Sequence, residues 1–494
     1  MINIFLNLAK NKERLLSLLI YIVLFLFLLY PYRDYDWGWH FKQGEYLFTH
    51  GSLYLKDTYS FTLPGYQWVN HEWLYDPLVY VIFSTTSFLG LSIAGAIVAF
   101  FAFYFCVKGI KLLSYQLAIC AFLFGYLTSG VVWQGLRSQM IGLLFIAFLM
   151  YLFRKIDQNN KTPVFFIPLF FLFWANMHGT FTFGLLIFGL YVIQKILIEN
   201  IINGRLFIGK SQVYLLISFT CSVLLTFLNP FGIGVYFEAL RHFHNPLLKY
   251  ISEWNPVGFP STFYALILLY IIILCAFVVT DYRKTKKVNI YMIGISIFTA
   301  FLAFGARRYV AILVTATLPF VAIFFSNLKL DLYKYKATYF LLFITIVIAF
   351  EIAIFNRVIP FRIFQGYSYN EYCSFGSSCS EKLTAYIIKN PPVGQGFNFY
   401  DWGGYLIGRG VQAKLFVDGR MHLWKDDKTG YSPFWDYQRI YYQDNLKLFD
   451  KYNFSWAIIP SKENLSLYIQ YKKVKGTWVK KIDDGRAAYW VRTK

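Results

Sequence analysis

The stretch "YRDYDWGWHFKQGEYLFTHGSLYLKDTYSFTLPGYQWVNHEW", residues 32–73, decides how this chain is read. It follows an apolar run that starts near Leu15, and it gathers carboxylates, imidazoles and indoles directly beside that run. Trp, Tyr, Lys and Arg are the ordinary anchors at a membrane boundary, whereas acids are not. If the flanking runs are membrane spans, the acids in this loop ask for a chemical reason.

The runs are long enough to be spans. The chain has 494 residues, is 57% hydrophobic and only 15% charged, where a soluble domain carries about a quarter. Apolar segments recur as far as Asn356, and about twenty such residues cross a bilayer. Hydropathy places spans at 15–32, 76–106, 113–131, 139–153, 163–176, 180–199, 211–228, 261–280, 289–305, 309–326 and 337–358, about eleven in all. The segment 76–106 can also be read as a broken or re-entrant pair around 84–90. Lys10, Lys12 and Arg14 imitate the start of a secretory leader, but the apolar run continues to Tyr30. "YPYRDYD" offers no small-residue cleavage site, so an uncleaved first span is expected.

The formal charge of +21 does not indicate nucleic acid. The basic residues fall in alternate loops, among them Lys108 and Lys111, Arg154 and Lys155, Arg283 to Lys287, and Lys329 to Lys336. The positive-inside rule then puts the N-terminus in the cytoplasm, and eleven spans put the tail outside. A multi-pass protein of the bacterial inner (plasma) membrane is expected. Residues 1–358 would form its transmembrane domain, with an exported first loop at 33–75, and 359–494 an extracytoplasmic α/β domain. The first loop, Arg137, "NMHG" (176–179), the loop 229–260, Arg307 with Arg308, and the tail would share the outer side.

The tail has ordinary polarity. A helix is expected over 380–390 after a Ser cap, a strand at "KLFVDGR" running into a turn, and a helical stretch over 434–452. "FSWAIIP" reads as a buried strand, and "TWVKKI" with "AAYWVR" as a hairpin around "DDGR". Alternating strands and helices imply a small α/β domain. Cys106, Cys120, Cys221 and Cys275 lie in spans, while Cys373 and Cys379 in the exported tail can either pair or stay reduced.

Asp34 and Asp36 stand just past the first span. In an extended chain both side chains point the same way; if a helix starts at Asp36, His40 falls on the same face one turn later. His71 and Glu72 lie before the second span, and Asp57 suits an Asx-type turn. Arg137, His178, Arg307 and Arg308 stand at outer span ends, and intramembrane ionisable groups are functional candidates. Glu253 sits in "SEWNP" of a later outer loop, near Arg241, His242, His244 and Lys249. His242 and His244 are too close in sequence for a zinc motif. Carboxylates at the water–lipid boundary can serve as general base toward a hydroxyl or amide, or bind a divalent cation such as Mg or Mn, through Asp34 and Asp36. The arginines can stabilise a departing phosphate. A lipid-phosphate donor arriving through the bilayer explains a site at this depth.

The chain resembles the GT-C membrane glycosyltransferases. They have many spans, a long first exported loop and acids at its start, where this chain has Asp34 and Asp36. "DYDWGWHFKQGEYLFTHGSLYLKDTYSFTLPGYQWVNHEWL" is similar to a bacterial group of such proteins. So are "WANMHGTF", "LRSQM", "SEWNP" and the tail pair "WGGYL" (402–406) and "DGR" (418–420). The resemblance implies a polytopic GT-C-like helical fold and a sugar donor linked to polyprenyl phosphate. The acceptor would be a glycan, lipid or protein outside the cytoplasm. Asp34, Asp36, His40 and Glu72 would be catalytic, and His71, Arg137, His178, Glu253, Arg307 and Arg308 would bind substrate. Trp402, Asp418 and Arg420 are read either as turn chemistry around glycines or as a surface facing acceptor. The chain lacks the "WWDYG" type of motif of oligosaccharyltransferases; "FYDWGGY" (399–405) diverges after Trp402, which counts against N-glycosylation. The alternatives are a transporter or flippase of a lipid-linked or anionic substrate, and a non-catalytic envelope assembly protein. Mid-depth charge is sparse, unlike that of transporters.

Overall fold

The computed structural model describes residues 2–160, 162–202, 208–328, 367–374 and 379–493. They divide into two compact units. One comprises Met1–Tyr30, Ser92–Ile233 and Ser252–Phe364; the other comprises Pro31–Leu91, Gly234–Ile251 and Gln365–Lys494.

The first unit is a bundle of apolar helices. Ser138–Asp157, Phe181–Ile198, Thr262–Thr285 and Tyr309–Asn327 are each long and apolar enough to cross a membrane, as is Asp76–Val107, which runs from one unit into the other. Ser114–Leu127, Thr162–Met177, Lys210–Leu225 and Ile290–Gly305 are shorter apolar helices. Ile2–Leu28 is the first helix of the chain. These elements coincide with ten of the expected spans; the eleventh, 337–358, lies outside the described residues. Tyr309–Asn327 forms the centre of the unit. It is buried along most of its length and packs against Ser114–Leu127, Ser138–Asp157, Thr262–Thr285 and Ile290–Gly305. Thr262–Thr285, by contrast, exposes Leu268, Leu269 and Ile272, the outward apolar surface that a bilayer accepts and water does not.

Asp76–Val107 is broken where the sequence allowed a break. Ser87 takes φ 56°, ψ −153° inside it, a left-handed conformation that costs a non-glycine residue about 1–3 kcal/mol.

The second unit holds a four-stranded sheet: β1 (Gly396–Asn398), β2 (Trp456–Pro460), β3 (Thr477–Asp483) and β4 (Ala487–Thr493), in the order β1-β2-β4-β3. β1 and β2 are parallel, and the β3–β4 hairpin is antiparallel as expected. Ser380 caps Glu381–Lys389 by accepting from Leu383 N at 2.9 Å. Two expectations need correction. The helical stretch over 434–452 is two helices, Pro433–Tyr441 and Leu446–Tyr452, separated by Asp444 at φ 52°. "KLFVDGR" (414–420) is no strand of the sheet, and its last two residues, Gly419 and Arg420, open the helical turn Gly419–Leu423. The Asn398 carboxamide intercepts its backbone, accepting from Phe416 N and donating to Val417 O, both at 2.8 Å. Its other edge pairs with the first loop, where Leu415 N donates to Tyr59 O at 2.8 Å and Phe61 N to Leu415 O at 3.2 Å. Cys373 and Cys379, left open by the sequence, are joined in a disulfide.

The first loop starts with the helix Trp37–His50, which ends at Gly51 in the left-handed conformation with its N–H on Leu47 O. The helix lies against Gly403–Gly408 at backbone contact. A Cβ on Gly38 would fall 1.9 Å from Gly404 O, and one on Gly404 would fall 2.2 Å from Tyr35 O. Gly403 and Gly404 are thus helical residues rather than the turn formers expected from "WGGYL", and Gly404 is required for close approach. Gly404→Ala is expected to abolish folded protein or lower its melting temperature by several degrees, because the obstacle is backbone and cannot rotate away. Gly130→Ala, where nothing lies within 4 Å, is expected to be neutral or slightly stabilising; fluorescence-monitored melting in detergent compares the two.

Candidate active site

The helix that begins after Asp36 puts His40 one turn on, so the helical alternative is the one adopted. Asp36 stands at the N-cap position but does not cap; its Oδ1 accepts the Trp39 indole N–H at 3.0 Å. Asp34 is buried, and its Oδ1 accepts from Asp36 N at 3.3 Å. Asp36 is half-buried and therefore the more reachable carboxylate of the two.

His40 is buried between two acids. Its Nδ1 lies 2.6 Å from Asp76 Oδ1 and its Nε2 3.5 Å from Glu72 Oε2. Asn70 holds the far side of Asp76, with Nδ2 donating to Asp76 Oδ2 at 2.6 Å, while its Oδ1 accepts from the Glu72 backbone N–H at 3.1 Å. A ring fixed on one nitrogen by a buried carboxylate presents the other in a defined tautomer. The geometry is that of an orienting acid, an imidazole and a partly exposed acid. Asp76 was not among the expected site residues, because an acid opening an apolar run reads as the end of a span. His71 lies beside this group, with Nε2 3.6 Å from Glu72 Oε1.

A second cluster ties the loop to the tail. Arg420 Nη2 donates to Asp57 Oδ1 at 2.8 Å and to Asp418 Oδ2 at 2.7 Å, and all three side chains are fully buried. Tyr59, Trp68 and Trp424 surround the guanidinium at 5.0–5.4 Å from their ring centroids. Burial alone would lower the Arg420 pKa; Asp418 and Asp57 more than offset it, so the group stays charged. Asp57 makes the expected Asx turn as well, accepting from Tyr59 N at 3.2 Å and Ser60 N at 3.0 Å. The turn after Asp418 presses Gly419 on Asp36: a Cβ at Gly419 would fall 1.9 Å from Asp36 Oδ1. Trp402 is buried. Nearby in sequence, Asp401 is half-buried, and loss of solvent pushes its carboxyl up to about 6.

In the helical unit, Glu253 joins two arginines. Arg137 Nη1 donates to Glu253 Oε2 and Arg308 Nη1 to Glu253 Oε1, both at 3.0 Å. Arg308 lies 4.2 Å over the Trp254 ring. Two guanidinium groups thus share one carboxylate. Arg307 is exposed, and its N–H donates to Asn255 O at 3.0 Å. His178 is buried; its Nδ1 accepts from Thr180 N at 3.1 Å. Among the described residues no three His, Cys, Asp or Glu side chains stand together as a metal cage.

No family model and no curated protein matches the sequence. Solved structures are similar in fold. The oligosaccharyltransferase AglB from Archaeoglobus fulgidus, in complex with an inhibitory peptide and a dolichol-phosphate, has a TM-score of 0.59 at 10% identity, over 97% of this chain and 74% of that one. The Archaeoglobus fulgidus oligosaccharyltransferase tethered to an acceptor peptide containing the NVT sequon gives 0.57 at 9% identity, over 98% and 74%. ArnT from Cupriavidus metallidurans in the apo state gives 0.52 at 12% identity, over 98% of both chains. The chain thus has the polytopic helical fold of the GT-C membrane glycosyltransferases, followed by a small C-terminal α/β region.

Arg420→Gln leaves Asp57 and Asp418 buried without their cation, and a loss of about 3–5 kcal/mol is expected, read as loss of folded protein on size exclusion. Asp401 has a folded pKa above its ordinary value, so its protonated form favours the fold. Its contribution is best below pH 4 and worsens as pH rises through about 6. Asp401→Asn is expected to raise the melting temperature at pH 7.5 and to give no gain at pH 4.

Proposed function

We propose that this chain is a membrane glycosyltransferase that moves a sugar from a polyprenyl-phosphate-linked donor to an acceptor outside the cytoplasm. The observation that supports the reading is His40, buried between Asp76 and Glu72 on the helix that follows Asp36, in a chain with the GT-C fold. The composition of the second unit supports the sidedness. Pro31–Leu91, Gly234–Ile251 and Gln365–Lys494 fold together, and they contain the first loop 33–75, part of the loop 229–260 and the tail, which the basic-loop rule assigns to the outer side. The disulfide between Cys373 and Cys379 suits an oxidising compartment. The AglB structure contains a dolichol-phosphate, which supports a lipid-phosphate donor here.

In this reading Asp36 is the base. It takes the proton of the acceptor hydroxyl or amide as the acceptor atom bonds to the anomeric carbon. The bond from that carbon to the phosphate oxygen breaks, its electron pair stays on the polyprenyl phosphate, and the anomeric configuration inverts. His40, held by Asp76, orients Glu72 and the helix that starts at Asp36.

The test is replacement of Asp36 by Asn in cells, with Asp34→Asn beside it. Loss of one exported glycan species is expected for Asp36→Asn, by at least about a hundredfold if the base is removed. Protein level should be normal, and the lipid-linked donor should accumulate. Unchanged glycan would favour transport or a scaffolding role.

A further inference from the structure

We infer that the ends of Asp76–Val107 and Ser138–Asp157 form a binding site for the phosphate headgroup of an anionic phospholipid, a site independent of the transferase reading. Three cations converge there on one aromatic ring. Lys108 Nζ lies 5.2 Å, Lys155 Nζ 5.6 Å and Arg154 Cζ 5.9 Å from the ring centroid of Tyr151. All four side chains are half-buried, and all belong to the helical unit. The basic-loop rule assigns this end of both helices to the cytoplasm.

The nearby acid is already engaged. Asp157 accepts from the Tyr191 hydroxyl at 2.8 Å and from Lys195 Nζ at 2.9 Å. Among the described residues no carboxylate forms an ion pair with Lys108, Arg154 or Lys155. Arg154 Nη2 donates to Phe105 O at 2.6 Å and to Lys108 O at 3.4 Å. It thereby serves carbonyls that a helix end leaves without partners, and its guanidinium is fixed beside the two ammonium groups. The dipole of a helix end offsets only about half a charge, so the cluster keeps a net positive charge. Like charges gathered on one ring repel, and the ring quadrupole attracts each of them only weakly. A bridging anion removes that repulsion.

The adjoining surface selects a lipid as the source of the anion. Aromatic stripes lead to the lysines at helical spacing: Phe101 and Phe105 before Lys108, Phe148 and Tyr151 before Lys155. The stripes pack on each other, with the Phe105 ring 4.9 Å from that of Phe148 and 5.5 Å from that of Tyr151. Phe101 is 43% exposed, and Phe166, whose ring is 6.2 Å from that of Phe148, is 45% exposed. An exposed apolar patch rimmed by charge fits an acyl chain beneath its headgroup. A free phosphate ion leaves these rings unused. A zwitterionic headgroup brings an ammonium that the three cations repel, so phosphatidylglycerol is favoured over phosphatidylethanolamine. Basic pockets between helices on the cytoplasmic side suit such headgroups.

The full chain, purified in detergent, is examined by native mass spectrometry with phosphatidylglycerol or phosphatidylethanolamine added. Phosphatidylglycerol is expected to be retained in preference, with one molecule per chain held most tightly. In a folded double variant, Lys108→Gln with Lys155→Gln, its binding should weaken roughly thirtyfold. Lys284→Gln, at an exposed lysine of another basic loop, should leave it unchanged, and glycerol phosphate should not displace the lipid. The second arm needs no variant: in nanodiscs, phosphatidylglycerol should slow acetylation of Lys108 and Lys155 in the unaltered protein more than that of Lys284. Equal retention of the two lipids overturns the site, as does undiminished binding by the folded double variant, equal weakening by Lys284→Gln, or equal protection of all three lysines. Displacement by glycerol phosphate would overturn a lipid as the occupant.

Discussion

The position of the candidate base depends on one buried cation. Arg420 sits out of solvent between Asp57 of the first loop and Asp418 of the tail. Desolvating three charges is unfavourable unless their geometry is nearly saturated, and removing one partner strands the others. Asp57 is further held by Tyr59 N, Ser60 N and the Ser60 hydroxyl, and aromatic rings close over the guanidinium. This clamp fixes the Asp-Gly-Arg turn against the loop, and the turn in turn presents Gly419 to Asp36 with no room for a side chain. A tail residue more than 360 positions away in sequence therefore helps determine where a first-loop acid sits.

The three segments that make up the second unit come from distant parts of the chain, and the helices of the first unit carry most of the apolar surface. Such a division suits a transferase that works on lipid-borne sugar. Apolar helices hold the chain in the bilayer, while polar chemistry is gathered in a separately folded body. The Glu253 cluster belongs to the helical unit and the acids to the other.

Much of this was legible from the residues. Helix ends followed hydropathy, since each span needs a continuous apolar run, and the break at Ser87 fell inside 84–90. "FSWAIIP" announced a buried strand because β2 lies between β1 and β4 and has no polar face to show. Long-range pairing was not legible. Nothing local marks Asp57 as the partner of Arg420, so its Asx turn seemed a sufficient account of it. Asp76 was hidden by its place at the head of an apolar helix, although its carboxylate is the one that fixes His40. The tail glycines were visible, but a glycine that allows two backbones to touch looks the same in sequence as one that makes a turn. "KLFVDGR" had the composition of a strand and was diverted by a single asparagine side chain.

Sidedness is the claim on which the chemistry rests, and it can be measured directly. With the four free cysteines replaced, single cysteines are placed at the exposed positions Ser52, in the first loop, and Lys475, in the tail. Intact spheroplasts are then treated with a membrane-impermeant maleimide. Both positions should be labelled without opening the membrane, and a cysteine at Lys284 only after it is opened. Labelling of Ser52→Cys solely in permeabilised cells would place the acids in the cytosol and contradict transfer at the outer face.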